Sequence, residues 1–454
     1  MAVKKYFLIL ASAFMPLYSC TPTYRKFDDF VRFFSGIPYA EPPVGAARFR
    51  RPITKKLSAK TIEATYFGPS CIQYSAGAKT VYTEYLSGFL LTPGQKQSED
   101  CLTLNIWAPR ATKDYTPSSS NLLPVIIWIH GGGFTSGGSA SPYKYGDRIV
   151  RDHRVIVVSV NYRLNIFGFP NAQALGNENL DPGLMDQRKA VEWVYQNIHS
   201  FGGDANRMIL FGQSAGSMSV DKYIYAYPTD PLVSGFIAQS GLADSSIGAP
   251  DPQGTNFTYV ASQLGCTSSP DKDKIFSCMQ QANATDVIQV YNNYNASDNG
   301  GASLGFSNYA DRQARGLFAQ LLTIISQANN EGSSLVTFVP SDPNQTVVDA
   351  LTRSLSTCPG ARGALARQNF GVLVWRTRYF GVWPNLNPFS WLGAYHSSDI
   401  PMIFGTSDLR GSNTALEAET SKYYQAAWIS FANDPENALM SAVYGLGDEF
   451  DGEC

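Results

Sequence analysis

The sequence predicts an α/β fold, with a mostly parallel central sheet covered by helices. Three continuous apolar runs, rich in β-branched residues, predict buried strands: Leu123–Ile129, Val155–Val160 and Met208–Phe211. Such runs are typical of parallel strands covered on both faces. Between the second and third runs, residues 183–200 place apolar side chains at near-helical spacing. The order strand, helix, strand therefore predicts a parallel sheet.

The composition is that of a large globular protein. Of 454 residues, 44% are hydrophobic and 16% charged, so the chain can fill a large core, which excludes intrinsic disorder. The net charge is −2 and no Lys/Arg cluster is present, which excludes a nucleic-acid-binding surface. Large α/β enzymes of this length often form one structural unit.

The N-terminus predicts a secretory signal peptide over residues 1–20, which leaves residues 21–454 as a single domain. Lys4 and Lys5 precede a short apolar run over residues 6–15, and small residues follow it. An N-terminal helix of the fold is the alternative, and residues 17–20 also resemble a bacterial lipoprotein cleavage box. Glycosylation sequons favour a secreted eukaryotic protein; they lie at Asn256, Asn283, Asn295 and Asn344.

Cysteine usage agrees with an extracellular location. Six cysteines remain after the signal peptide: Cys71, Cys101, Cys266, Cys278, Cys358 and Cys454. They form no CxxC motif or Cys/His cluster, so no metal site is expected. Six cysteines allow 15 pairings. Pairing between sequence neighbours, Cys71 with Cys101 and Cys266 with Cys278, is the simplest, which leaves Cys358 and Cys454 paired or free.

The strongest motif for chemistry is Gly212-Gln213-Ser214-Ala215-Gly216, which follows the third strand and precedes a helical segment. This is G-x-S-x-G in the strand–turn–helix context of a nucleophile elbow. Its glycines suit a turn too tight for side chains that would meet the neighbouring backbone. Ser214 is therefore expected to project from the carboxyl edge of the sheet as a nucleophile.

The base is identified by elimination among four histidines. His130 ends a strand, His153 lies in a charged segment, and His199 lies near a helix end. In α/β-hydrolases the chain order is Ser, acid, His, and only His396 follows Ser214. We therefore predict His396 as the general base.

The acid is expected between these residues, just beyond a strand. Residues 321–325 form a strand candidate that Glu331 follows closely, so we predict that Glu331 orients His396 and stabilises the imidazolium. Asp311 and Asp342 are weaker candidates because neither directly follows an apolar strand.

The glycine run after His130 supplies the remaining part of the site. Consecutive glycines let backbone N–H groups approach an oxygen closely. Together with Ala215, we expect the N–H groups of Gly132 and Gly133 to form an oxyanion hole.

These residues together resemble the type-B carboxylesterase family, which includes cholinesterases and fungal lipases, and the chain is closest in character to secreted fungal members. Six stretches carry the likeness: Gly36–Ala40, Pro42–Gly45, Glu99–Trp107, His130–Phe134, Gly183–Ala215 and Gly393–Gly405. The resemblance implies an α/β-hydrolase fold and a serine carboxylesterase or lipase that needs no cofactor.

The family also implies roles for particular residues. It implies the triad Ser214, Glu331 and His396, the disulfides Cys71–Cys101 and Cys266–Cys278, and a buried Glu99–Arg163 ion pair. The chain departs from the family at Gln213, where Glu is usual, and it is somewhat trimmed. An N-terminal strand, internal segments and the usual C-terminal end are expected to be missing.

The loop between Cys71 and Cys101 is a candidate lid. Six residues are expected on one helical face: Val81, Tyr82, Tyr85, Leu86, Phe89 and Leu90. A lipid-binding flap and ordinary core packing are equally compatible with this face. The loop contains no Trp, which argues against acetylcholine as substrate.

The expected partners are a small-molecule or lipid ester and, transiently, a lipid interface, with no obligate protein partner. A non-catalytic binding or adhesion protein of the same fold is the alternative function.

Overall fold

A computed structural model describes residues 23–26, 30–56, 62–73, 79–111, 121–176, 181–245, 254–296, 318–339, 341–437, 439 and 454. The predicted signal peptide and Asp311 lie outside the described residues.

A ten-stranded sheet forms the centre of the protein, in the order β12-β11-β10-β9-β7-β8-β6-β2-β1-β3. The six strands from β12 to β8 in this order are parallel, and β6, β2 and β1 continue the sheet in antiparallel pairs. β4 and β5 pair separately. The strands are β1 (Thr23–Lys26), β2 (Val31–Pro38), β3 (Glu63–Ala64), β4 (Ser70–Cys71), β5 (Gln97–Ser98), β6 (Thr103–Pro109), β7 (Leu123–Ile129), β8 (Ile156–Val160), β9 (Gly203–Gln213), β10 (Gly235–Gln239), β11 (Thr323–Ala328) and β12 (Val374–Tyr379).

Helices connect the strands and cover both faces of the sheet. The described α-helices are α1 (Val81–Glu84), α2 (Asp147–Asp152), α3 (Asn165–Gly168), α4 (Pro182–Asn197), α5 (Ala215–Ala226), α6 (Thr255–Gln263), α7 (Lys272–Gln281), α8 (Ala284–Ala296), α9 (Gln345–Thr352), α10 (Cys358–Asn369), α11 (Ile400–Phe404) and α12 (Ala415–Asn433). A π-helical segment, Arg353–Thr357, joins α9 to α10.

The alternation of side chains along β7 shows how the core is divided. Ile127 and Ile129 face a cluster that includes residues of α4 and α5, whereas Ile126 and Trp128 face a cluster that includes residues of α2 and α12. Because both faces of β7 are covered, every residue of the strand is buried. This double burial explains the continuous apolar run in the sequence.

The expected mostly parallel sheet is confirmed, with shifts at the element ends. The third predicted strand is longer than its apolar run, since β9 begins at Gly203, and the strand expected over residues 321–325 is displaced to Thr323–Ala328. The expectation of a missing N-terminal strand needs correction, because β1 pairs with both β2 and β3 at the sheet edge.

The expected helical face in the loop between Cys71 and Cys101 was wrong in its geometry. Helix α1 ends at Glu84, and a separate 3-10 turn spans Ser87–Phe89. Gly88 lies in this turn against the ring of Tyr143, which a Cβ at this position would overlap. Of the six residues, Val81, Leu86 and Phe89 are buried, while Tyr85 and Leu90 are exposed. Half of the face is therefore core.

The structure contains the two disulfides expected between sequence neighbours, Cys71–Cys101 and Cys266–Cys278, and a third, Cys358–Cys454. The last joins the start of α10 to the C-terminal residue, and it accounts for the two cysteines left without a predicted partner.

The Glu99–Arg163 ion pair implied by the family resemblance was wrong. Arg163 instead forms a bidentate pair with Asp186 of α4, at 2.7 and 2.8 Å, and both side chains are buried. Glu99 pairs with Arg48 at 2.6 Å. Each carboxylate accepts two parallel N–H bonds, a geometry that Arg favours. The two acids are separated by 87 residues in sequence, so charge pattern alone could not choose between them.

Candidate active site

Ser214 lies at the sharp turn between β9 and α5. Its backbone adopts φ 59° and ψ −126°, a region that non-glycine residues rarely occupy. The Ser214 N–H donates to Gln239 O of the neighbouring strand at 2.8 Å, which helps to hold the turn. Ser214 is half-buried, whereas its neighbours Gln213 and Ala215 are buried. The turn therefore leaves the Ser214 side chain partly accessible within an otherwise buried stretch of chain.

The glycines of the motif are required by contact. A Cβ at Gly212 would overlap the backbone of Gly216, and a Cβ at Gly216 would overlap the carbonyl of Ile129. These approaches bring β7, β9 and α5 together at the carboxyl edge of the sheet.

The predicted acid and base meet at the same edge. Glu331 begins a 3-10 turn just after β11, and its Oε2 lies 2.5 Å from His396 Nδ1. Both side chains are at least 95% buried. Glu331 Oε1 accepts the N–H of Ala328 at 2.7 Å, which fixes the carboxylate. The structure thus brings together two residues that are 65 positions apart.

Hydrogen bonds tie the two loops that carry these residues. Asn330 donates its N–H to Ala394 O at 2.8 Å and its side-chain amide to Leu392 O at 3.0 Å. Ser333 also donates to Leu392 O, at 2.7 Å. The relative position of Glu331 and His396 is therefore set by backbone contacts as well as by their own bond.

Gln213 contacts the other ring nitrogen of His396. Its amide Nε2 lies 3.0 Å from His396 Nε2. With Nδ1–H donated to Glu331, Nε2 carries a lone pair and can accept this amide proton. This tautomer is the one a general base requires, since Nε2 must be free to take a proton. No hydrogen bond joins the Ser214 hydroxyl to His396 in the described part of the chain.

The predicted oxyanion donors lie on the neighbouring strand end. Gly131 backs directly onto the nucleophile turn, because a Cβ there would lie 2.8 Å from Ser214 Cβ. Gly132 and Gly133 adopt positive φ values of 113° and 61°, which glycine tolerates without strain. Ala215 is the first residue of α5, where N–H groups have no intrahelical acceptor.

The remaining candidates lie elsewhere. Asp342 is exposed, and His199 is exposed at the end of α4. His153 is partly exposed beside α2. His130 is buried and stacks on Tyr162, and burial lowers its pKa to about 3, which keeps it neutral.

Two further residues at the site were not identified from the sequence. Asp399 is fully buried three residues after His396, and burial together with the charge of Glu331 raises its pKa to about 7. Tyr82, which we predicted only as part of an apolar face, donates its hydroxyl to His396 O at 2.6 Å. A polar group at one end of an otherwise apolar side chain was the signal that was available for Tyr82.

A search of the described residues finds no group of three or more His, Cys, Asp or Glu arranged to hold a metal ion. None of the helices in this part of the chain has the length and apolar character needed to span a membrane.

Comparisons with known proteins agree with this architecture. The sequence model of the Carboxylesterase family matches residues 23–339. The chain is 41% identical to a chlorogenic acid esterase of Aspergillus niger, over 91% of this chain and 81% of that protein. It is 33% identical to secreted lipase 5 of Gibberella zeae, over 92% and 84% respectively.

A solved structure shows the same fold. A PNB esterase superimposes with a TM-score of 0.74 and 27% sequence identity, covering 90% of this chain and 88% of that one. The chain therefore belongs to the carboxylesterase family, and it is a carboxylic ester hydrolase with the α/β-hydrolase fold.

Proposed function

We propose that the protein hydrolyses carboxylic esters through an acyl-enzyme formed on Ser214. The observation that carries the proposal is the 2.5 Å contact of His396 Nδ1 with Glu331, at the sheet edge where the strained Ser214 turn lies. Nucleophile, base and acid lie on three separate loops, and their convergence is the arrangement that serine hydrolases need.

The reaction proceeds in two halves. In the first, Ser214 Oγ attacks the ester carbonyl carbon while His396 Nε2 takes the hydroxyl proton. The negative oxygen of the tetrahedral intermediate accepts hydrogen bonds from Gly132, Gly133 and Ala215 N–H. The C–O bond to the alcohol then breaks as His396 returns the proton to the leaving oxygen. Water repeats the sequence on the acyl-enzyme and releases the acid.

The Gln213 amide must release His396 Nε2 before this nitrogen can accept the Ser214 proton. This amide occupies His396 Nε2 at 3.0 Å, so the Ser214 hydroxyl competes with it for the same lone pair. The proposed reaction requires this hydrogen bond to pass from Gln213 to Ser214, and because the Gln213 amide is neutral, the exchange moves no charged side chain.

The experiment is hydrolysis of a soluble short-chain p-nitrophenyl ester by the wild type and by Ser214→Ala. We expect at least a 1000-fold lower rate for the variant, since the remaining oxyanion donors and binding retain only residual catalysis. A fluorophosphonate probe should label the wild type at Ser214, as read by peptide mass spectrometry. If the folded wild type hydrolyses the ester no faster than Ser214→Ala, the binding-protein alternative replaces this proposal.

An aromatic patch beside the acid loop supports a substrate with a bulky apolar group. The patch consists of Tyr85, which is exposed, and of Phe338, Phe389 and Trp391, which are partly exposed. The ring centroids of Tyr85 and Phe389 lie 4.8 Å apart. Phe389 in turn stacks on Trp391, with 5.3 Å between the ring centroids. Aromatic faces of this kind favour stacking with aromatic ligands and burial of acyl chains.

Two similar proteins suggest which esters to compare. One is a chlorogenic acid esterase and the other a secreted lipase. We infer that the soluble aromatic ester is the better substrate, since the patch is made of rings rather than aliphatic chains. The kcat/KM for chlorogenic acid should exceed that for an emulsified triglyceride, and Phe389→Ala should lower the former by about 10-fold. A preference for the emulsion would instead assign the patch to a lipid interface.

We propose that the protein is extracellular and glycosylated. Its disulfides are of the kind that persist in oxidising compartments. Two of the sequon residues, Asn283 and Asn344, are exposed. Enzymatic deglycosylation of protein secreted by a fungal host should lower its mass, and an unchanged mass would contradict glycosylation.

A further inference from the structure

The hydroxyl of Tyr82 lies between the two loops that carry the predicted acid and base. It donates to the main-chain carbonyl of His396 at 2.6 Å and lies 2.8 Å from Ser334 Oγ. Ser334 ends the 3-10 turn that begins at Glu331. One hydroxyl group therefore joins the acid loop, the base loop and the segment between Cys71 and Cys101.

The direction of these bonds follows from the number of protons. A tyrosine hydroxyl has one proton, and the His396 carbonyl can only accept it. The Ser334 hydroxyl must then donate to the Tyr82 oxygen. Burial raises the pKa of Tyr82 well above its ordinary value, so the hydroxyl stays protonated at neutral pH and both bonds persist.

The position of Tyr82 is set by its own segment. Thr80 and Thr83 form a capping box at the start of α1, with bonds of 2.9 and 3.1 Å. The Tyr82 ring packs edge-on against the ring of Phe89, with 5.6 Å between the ring centroids. The Cys71–Cys101 disulfide closes the loop that contains them. A displacement of this loop would therefore move Tyr82 and remove both hydrogen bonds.

We propose that Tyr82 is a positioning residue, which couples the docked state of helix α1 to the alignment of Glu331 with His396. The proposal rests on the proposed esterase function. It implies that α1 stays docked during turnover, so that any mobile part of the loop lies outside Val81–Glu84. Because a displacement of about 1 Å can cost about 100-fold in rate, losing one such anchor should be visible in kcat.

The test compares Tyr82→Phe with Tyr145→Phe. Tyr145 is a matched control because its hydroxyl also bonds the same disulfide loop, at 3.0 Å from Thr92 Oγ1, but does not touch the acid or base loop. With a soluble p-nitrophenyl ester, we expect Tyr82→Phe to lower kcat by about 10- to 100-fold with KM changed less than 2-fold. Tyr145→Phe should retain kcat within 2-fold.

A spectroscopic readout separates positioning from general destabilisation. The His396 Nδ1 proton, held against Glu331, should give a downfield proton resonance in water, absent in Glu331→Gln. This resonance should move or broaden in Tyr82→Phe and stay unchanged in Tyr145→Phe. An unmoved resonance with an unchanged kcat in Tyr82→Phe would overturn the proposal.

A second variant keeps the proposal testable if Tyr82→Phe does not fold. Ser334→Ala removes the other donor, and we expect a fall in kcat of about 3- to 10-fold with KM preserved. Where both fold, the double variant should be no slower than Tyr82→Phe, since the Ser334 hydroxyl acts through the Tyr82 oxygen, which Phe lacks. Equal losses in Tyr82→Phe and Tyr145→Phe, or fully additive losses in the double variant, would refute the coupling. Wild-type activity that survives Ser214→Ala would instead refute the esterase mechanism.

Discussion

Substitution of the buried Asp399 by Asn should make the free energy of unfolding less sensitive to rising pH. The Asp399 side chain is fully buried, and burial, reinforced by the negative charge of Glu331, raises its pKa from 3.8 to about 7. In the unfolded chain the pKa of this carboxyl returns to its ordinary value of 3.8. Between these two values, the folded state therefore holds a proton that the unfolded state has released.

The sign and size of the effect follow from proton linkage. Stability falls with rising pH wherever the folded state binds more protons, so loss of the Asp399 proton from the unfolded chain lowers the free energy of unfolding between about pH 4 and about pH 7. Each pKa unit corresponds to about 1.36 kcal/mol, and the shift of about 3 units amounts to about 4 kcal/mol in total. Between pH 5 and pH 8, about 2 units of this range are crossed, which is about 3 kcal/mol.

The assay is guanidinium unfolding of the wild type and Asp399→Asn at pH 5 and pH 8. The free energy of unfolding of the variant relative to the wild type should rise by about 3 kcal/mol between the two pH values. Taking this difference cancels any packing effect of Asn, which is the same at both pH values. Asp342→Asn is the control, because this exposed side chain stays hydrated when folded, and its difference should be nearly constant. A constant difference for Asp399→Asn as well would refute the reasoning.

Three further predictions concern the acid, the elbow and the buried ion pair. Glu331→Gln should lower kcat by about 10,000-fold with an unchanged circular dichroism spectrum, since the wrong imidazole tautomer is favoured; retention of a tenth of the activity would exclude Glu331 as the acid. Gly216→Ala should lower the free energy of unfolding by about 3 kcal/mol or more, because its Cβ overlaps the Ile129 carbonyl. An unfolding midpoint equal to that of the wild type would contradict this clash. Asp186→Ala should cost about 3 to 5 kcal/mol in the same unfolding assay, since it leaves Arg163 charged and buried; a loss below 1 kcal/mol would show that the guanidinium finds another partner.

The candidate site was predicted partly from local patterns and partly from chain order. The elbow needs glycines two residues either side of Ser214, and the structure accounts for both by backbone overlap. Elimination among four histidines left His396, and the strand before Glu331 placed that carboxylate at the sheet edge. The hydrogen bond between them agrees with this choice.

Contacts between distant loops were not predictable in the same way. The partner of Arg163 is Asp186, and no local pattern separates this acid from Glu99. The close approach of Gly88 to the ring of Tyr143, 55 residues away, likewise has no local signal.

The sequence by itself predicted the parallel strands at the centre of the sheet and the elbow motif, because hydrophobic period and turn chemistry act over a few residues. The triad predicted from chain order stays a prediction. Only the tertiary structure decided that Gln213 faces His396 Nε2, that Asp399 is buried beside Glu331, and that the Tyr82 hydroxyl joins the acid and base loops. These contacts depend on how separate loops approach one another at the sheet edge. Their energies depend on burial, which a side chain acquires only once its neighbours from other parts of the chain have packed around it.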